Sequence, residues 1–215
     1  MRKVLLGLFV ILVVSGVAVG QFTFHLIDNF EDQNFTQNPK WWRFGDLKPE
    51  IVKNASLEAR DLIAESCGEY SLSLSGETED WYIGGIGTDL GVDADQFARF
   101  QIDVYGDGEF SGKLLIELFE DDNQNYSIEQ DPQKNYEPIK DDKWGVKVNV
   151  QGKGYTRTSI PFSAFRDLNP GVGDDIWNPN QKDGSGGLLK LQLVAISEEQ
   201  KGKINVNVDN ILLTY

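Results

Sequence analysis

Flat aromatic rings set beside amides and carboxylates are the residues of this chain with the most specific chemistry. The run Phe100-Gln-Ile-Asp-Val-Tyr105 alternates as a strand does, so Phe100, Ile102 and Val104 share one face. The other face carries Gln101, Asp103 and Tyr105. A ring on such a face can stack on the C–H side of a pyranose, while amides and carboxylates bond its hydroxyls. Trp177 lies in a loop from Asn169 to Gly187 rich in Gly, Asp, Asn and Pro, and loops of that kind hold ligands more often than they pack. Tyr126 and Tyr136 follow the acidic run Glu120-Asp-Asp-Asn-Gln-Asn125. The ligand-binding candidates are therefore Tyr105, Asp103, Gln101, Tyr126, Tyr136 and Trp177. Packing takes most of the other aromatics, including one of Trp41 and Trp42 beside Arg43 and Phe44.

Other chemistries lack their parts. His25 is the single histidine and falls in the first strand-like run, which argues against a Ser–His–Asp or Cys–His pair. No glycine-rich turn opens a helix after a strand, as nucleotide binding needs. Among 34 acidic residues no acid/base pair stands out for glycoside hydrolysis. Binding without catalysis is the expectation. Asp121, Asn123 and Asn125 match the opening of a calcium-binding helix–loop–helix, but Tyr126 stands where that loop needs Gly and Pro132 where it needs Glu. The run 120–125 is expected to be the solvated tip of a hairpin. Cys67 has no partner for a disulfide within the chain and serves as a small, half-buried apolar residue.

These residues must be positioned by strands. Residues 1–20 carry a basic start at Arg2 and Lys3, an apolar run from Val4, and small residues up to Ala18-Val-Gly20; they are expected to be a signal peptide. Cleavage leaves one domain, 21–215, with no membrane span. Losing Arg2 and Lys3 takes the net charge from −14 to −16. Such a surface repels nucleic acid, and no basic cluster offsets it. Strands are expected at Phe22–Ile27, Tyr70–Ser75, Trp81–Ile86, Arg99–Tyr105, Lys113–Glu120, Tyr126–Glu129, Gly145–Val150, Thr156–Ile160, Leu188–Ile196 and Ile204–Thr214. Gly106-Asp-Gly108, Gly152-Lys-Gly154 and Asp183-Gly-Ser-Gly-Gly187 read as turns between them. Helix is confined to short turns at Ser56–Ile63, Asp93–Phe97 and Phe162–Phe165. Ten short antiparallel strands with alternating faces make an all-β, two-sheet sandwich.

Four segments, taken in order, carry a resemblance. They are Ile27-Asp-Asn-Phe-Glu31, Phe97-Ala-Arg-Phe-Gln-Ile-Asp-Val-Tyr-Gly-Asp-Gly108, Arg157-Thr-Ser-Ile-Pro-Phe-Ser-Ala-Phe165 and Val208-Asp-Asn-Ile-Leu-Leu213. Together they resemble galactose-binding-like jelly rolls, above all family 11 carbohydrate-binding modules and complex I intermediate-associated protein 30 domains. The resemblance implies an antiparallel jelly-roll β-sandwich whose partner is a carbohydrate. It also implies a structural Ca2+ joining the first strand to the last, with Asp28 and Glu31 supplying carboxylates from one end and Asp209 from the other. Calcium takes six to eight oxygens, so carboxylates at both chain ends suit it. The expected role is an exported, non-catalytic domain, secreted or at the cell surface, that recognises a cell-wall or extracellular polysaccharide. The alternative is a structural subunit of a surface layer or filament, self-associating through edge strands or the segment Gln21–Phe24.

Overall fold

The computed structural model describes residues 24–54, 68–197 and 201–215. Twelve strands follow one another: β1 (His25–Asp28), β2 (Trp41–Gly45), β3 (Lys48–Lys53), β4 (Tyr70–Thr78), β5 (Tyr82–Val92), β6 (Arg99–Asp121), β7 (Gln130–Asp131), β8 (Glu137–Pro138), β9 (Asp142–Pro161), β10 (Arg166–Asp167), β11 (Gly187–Ile196) and β12 (Gly202–Thr214). Single 3-10 turns at Pro132–Lys134 and Phe162–Ala164 complete the described elements.

Two long strands, β6 and β9, belong to both layers. The first sheet runs β3-β4-β12-β6-β9, using residues 99–108 of β6 and 152–161 of β9. In it β1 lies beside the end of β12, with His25 opposite Leu213, so the first and last strands are joined. The second sheet runs β2-β5-β11-β6-β9-β10, using the other halves of the same two strands. Every pairing is antiparallel, and the architecture is a jelly-roll β-sandwich.

Alternation explains the core. Leu72, Leu74, Ile102, Val104, Val206 and Val208 point inward from the first sheet. Ile86, Leu114, Ile116, Leu118, Leu191 and Leu193 meet them from the second. Interdigitated β-branched and leucine side chains in this arrangement remove the apolar face of each sheet from water.

Several expectations need correction. Gly106-Asp-Gly108 and Gly152-Lys-Gly154 are not turns. They face each other across the ladder, Gly106 opposite Gly154 and Gly108 opposite Gly152. A Cβ on Gly106 would lie 2.5 Å from the Gly152 carbonyl oxygen. Opposed glycines let the two strands bend together from one sheet into the other, with an irregularity between Gly108 and Gly112. The strand expected at Tyr126–Glu129 is absent; only Gln130–Asp131 pairs, with Glu137–Pro138. The run 120–125 is solvated only in part: Asn123, Gln124 and Asn125 are exposed, whereas Glu120 and Asp121 are fully buried. β2 and β3 were not expected, since Arg43, Pro49 and Glu50 interrupt their apolar pattern. Asp93–Phe97 holds a turn closed by the Phe97 N–H on the Ala94 carbonyl. The expected signal peptide, Ser56–Ile63 and Cys67 lie outside the described residues.

Candidate functional site

The outer face of the first sheet holds three of the expected ligand residues, and two of them, Asp103 and Tyr105, are engaged by neighbouring side chains. Gln101, Asp103 and Tyr105 do share a phase, as alternation requires. Asp103 is buried, however, and Arg157 stands directly opposite on β9. Arg157 grips it through two bonds of 2.8 Å, Nε to Oδ1 and a terminal nitrogen to Oδ2. Asn210 Nδ2 donates a third at 3.0 Å. Tyr105 is half-buried and packs edge-on against Tyr155, with ring centroids 5.2 Å apart. The Tyr155 hydroxyl donates to Asn54 Oδ1, and so does Ser71 Oγ, each at 2.8 Å. This face is tied together by its own polar groups.

The other three candidates lie elsewhere. Trp177 packs on Phe162 at 4.8 Å and on Trp144 at 5.8 Å, and so closes one end of the core. Tyr126 and Tyr136 are 56% and 64% exposed on the excursion between β6 and β9. The six expected residues therefore do not form one surface.

The outer face of the second sheet is built differently. Its register sets Trp42, Gly87, Gln192, Glu117 and Gly145 opposite one another on five adjacent strands. At the usual strand spacing that row is roughly 19 Å long. A parallel row runs Phe44, Gly85, Val194, Leu115, Lys147. The glycines form a floor for the rings. A Cβ on Gly87 would lie 2.6 Å from the Trp42 indole, and one on Gly85 2.4 Å from the Phe44 ring. Phe44 stacks on Tyr82, centroids 6.4 Å apart and planes within 12°. Trp81, 59% exposed, leans on Tyr82 at 5.5 Å.

Polar groups border these rings. Lys190 Nζ lies 5.7 Å from the Trp42 ring and 5.4 Å from the Phe119 ring, and donates to Gln130 Oε1 at 3.0 Å. Burial lowers the Lys190 pKa, which leaves the ammonium dependent on those ring faces and nearby carboxylates. Lys143 bridges Glu117 and Glu137. Burial raises the Glu117 carboxyl, and Lys143 opposes that rise. Burial, then the charges of Glu117 and Asp46, raise the Tyr82 hydroxyl. A row of ring faces on a flat floor, edged by an amide, a carboxylate and two ammoniums, can take an extended polyhydroxylated ligand.

Asp28, Glu31 and Asp209 are brought to one region by the pairing of β1 with β12. Burial pushes Asp209 up to about 8, and the charges of Asp103, Glu31 and Asp28 add to it. Burial likewise pushes Asp28 to about 6. Asp28 accepts from the Phe30 N–H at 2.8 Å and from Trp41 Nε1 at 2.7 Å. Glu31 Oε1 accepts from the N–H groups of Glu69 and Tyr70. Asp209 Oδ2 is buried with no hydrogen-bond partner.

No protein-family model and no curated protein matches this sequence. Solved structures do. A family 11 carbohydrate-binding module from Clostridium thermocellum, in complex with a β-1,3-1,4-mixed-linked tetrasaccharide, superposes with a TM-score of 0.53 at 16% identity, over 89% of this chain and 95% of that one. The family 11 module of a cellulosomal cellulase of the same organism gives 0.52 at 16%, over 90% and 95%. A Clostridium thermocellum xylanase fragment complexed with xylohexaose gives 0.50 at 14%, over 88% of this chain and 28% of that one. The fold is the jelly-roll β-sandwich that these modules share.

Within that module fold, alternation along β11 does mark Lys190 and Gln192 as outward. What it does not mark is Trp42, Phe44 and Tyr82 as neighbours on one floor. The usable signal is the pair of glycines, Gly85 and Gly87, two residues apart in a strand and opposite two aromatics two residues apart in another.

Proposed function

We propose that the protein is an exported, non-catalytic carbohydrate-binding domain that recognises a cell-wall or extracellular polysaccharide through the outer face of the second sheet. The observation that carries the proposal is the floor of Gly85 and Gly87 bearing Phe44 and Trp42, with Gln192 and Glu117 in the row of Gly87 and Trp42. Ring faces take the apolar side of each sugar, and the amide, carboxylate and ammonium groups fix its hydroxyls. The structural neighbours named above agree with this role. Tyr136, on the exposed excursion beside Gln130 and Glu137, borders the same face. A glycan array followed by calorimetry with soluble polysaccharides tests the proposal. Binding by wild type that Trp42→Ala abolishes supports it; a full array without binding removes it.

Calcium at the chain ends belongs to the same proposal. The orphaned Asp209 Oδ2, buried close to Asp28 and Glu31, suits a hard cation. The ion would fasten the first strand to the last and take no part in sugar recognition. A melting temperature that does not change on chelation removes it.

A second function has one observation in its favour. Leu26 on β1 and the preceding Phe24 are 41% and 60% exposed at a sheet edge. An apolar edge strand can pair with another copy in a surface layer or filament. Ordered polymers by electron microscopy, without glycan binding, would select it.

A further inference from the structure

Where β6 ends and β9 begins, carboxylate oxygens gather, and several of the buried ones have no hydrogen-bond partner. One carboxylate oxygen each from Asp122, Asp142 and Asp174 lie within 4.8 Å of one another. Asp142 is fully buried, and neither of its oxygens has a hydrogen-bond partner. Glu120 is fully buried too, and its Oε2 is unpartnered. Asp122 Oδ1 and Asn178 Oδ1 are in the same condition. Asn178 links the set, its N–H donating to Glu120 Oε1 at 2.7 Å and its Nδ2 to Asp174 Oδ2 at 2.9 Å. The Asp142 N–H donates to Asp122 Oδ2 at 2.7 Å, which holds the two strand ends together. Among the described residues, no lysine or arginine forms an ion pair with any of these carboxylates.

The neighbouring Asp121 shows what a purely structural carboxylate looks like here. It is equally buried, and it accepts from the N–H groups of Asn123 and Tyr126. Glu120, Asp122 and Asp142 lack such a full set. The loop between β10 and β11 also closes over them. A Cβ on Gly173 would lie 2.3 Å from both Asp122 Oδ2 and Asp142 Oδ1, and its φ of +76° favours glycine. Burial, reinforced by mutual repulsion, drives Asp122 and Asp142 to about 7 and Glu120 to about 9.

We infer that Asp122, Asp142 and Asp174 form a calcium site, bordered by Glu120 and Asn178, that fastens the β10–β11 loop to the ends of β6 and β9. Every donor is a carboxylate or amide oxygen, the set that hard cations prefer over zinc or copper. The number of oxygens offered suits calcium's six to eight ligands better than magnesium, which keeps several waters. The site is separate from the chain-end carboxylates. It also adjoins the sugar-binding face, because Asp142 precedes Lys143, the partner of Glu117.

The test uses the full chain freed of metal by chelator and then titrated with Ca2+, Mg2+ or Tb3+ alone. Calcium at about a hundred times its dissociation constant raises the melting temperature by roughly 5–10 °C. Trp177, beside Asn178, sensitises bound terbium. Asp142→Asn removes one terbium site from the emission titration and lowers the calcium stoichiometry by one. It also raises the melting temperature in chelator, since a neutral amide ends the repulsion. Asp209→Asn, at the chain ends, leaves that terbium site in place. If Asp142→Asn does not fold, the exposed Asp174→Asn weakens calcium at least about tenfold. Unchanged stoichiometry and terbium emission in the folded Asp142 variant, or an unchanged calcium affinity in Asp174→Asn where that replaces it, overturn the inference. So does a magnesium response as large as the calcium response.

Discussion

The two outer faces of this sandwich are made from the same alternation and reach opposite ends. On the first sheet, Asp103, Arg157, Asn210, Tyr155, Asn54 and Ser71 bond one another. On the second, Gly85 and Gly87 remove side chains from the middle of the sheet, and Trp42 and Phe44 lie across the gap. The first face closes on itself because its polar groups find partners within reach. The second sets flat ring faces beside its β2 edge, with Gln192 and Glu117 further along the same row. Polarity alone is therefore a poor guide to a binding face, and the state of the polar groups decides.

Substitutions on the two faces should separate affinity from stability. The largest effect is on the second face, where Trp42→Ala lowers polysaccharide affinity by about thirtyfold or more, the loss of a central aromatic anchor. Calorimetry checks this on the folded variant, whose melting temperature also falls because the half-buried indole packs on the sheet. On the first face, Arg157→Ala leaves Asp103 buried with its principal cation gone. Because the Arg157 side chain is 37% exposed, the cost falls below that of a fully buried pair, at about 2 kcal/mol. Thermal denaturation should show a drop of roughly 4–8 °C with sugar affinity intact. An affinity loss in this variant would move the binding face to the first sheet.

Two smaller effects sharpen the contrast. In Gly87→Ala the added methyl meets only the Trp42 ring, so the indole must shift off the floor. Affinity falls about tenfold, roughly 1.4 kcal/mol. The smallest effect is in pH. Glu117 has a folded pKa raised by burial above its unfolded value. The folded state then holds this proton where the unfolded state has lost it. This group's contribution is present below the ordinary glutamate range and is lost as pH rises through the raised value. Melting temperatures across the mildly acidic range should show that slope in wild type and a smaller one in Glu117→Gln, because the other buried carboxyls keep theirs.

Much of the fold is legible in the chain. The phases of 100–105 and 188–196 put the right residues inside, and the joining of the chain ends follows from the first and last motifs. The breaks at Gly106 and Gly152 are misjudged because a glycine pair can bend two paired strands as readily as it can reverse one. The candidate site is less legible. Asp103 looks like a ligand residue by phase, yet Arg157, 54 positions away, stands opposite and takes both its oxygens. Glu120 looks like part of a solvated run, yet it is fully buried against Asn178.

By itself, the sequence determined the all-β class, the inward residues of the long strands and the acidity of the surface. Each of these depends on period or composition, which local order carries in full. The tertiary structure alone decided which outward face stays open and which carboxylates lie buried without partners. Period two separates inside from outside, but a sandwich has two outsides. Only the register between distant strands brings Trp42 over Gly87 and Arg157 against Asp103.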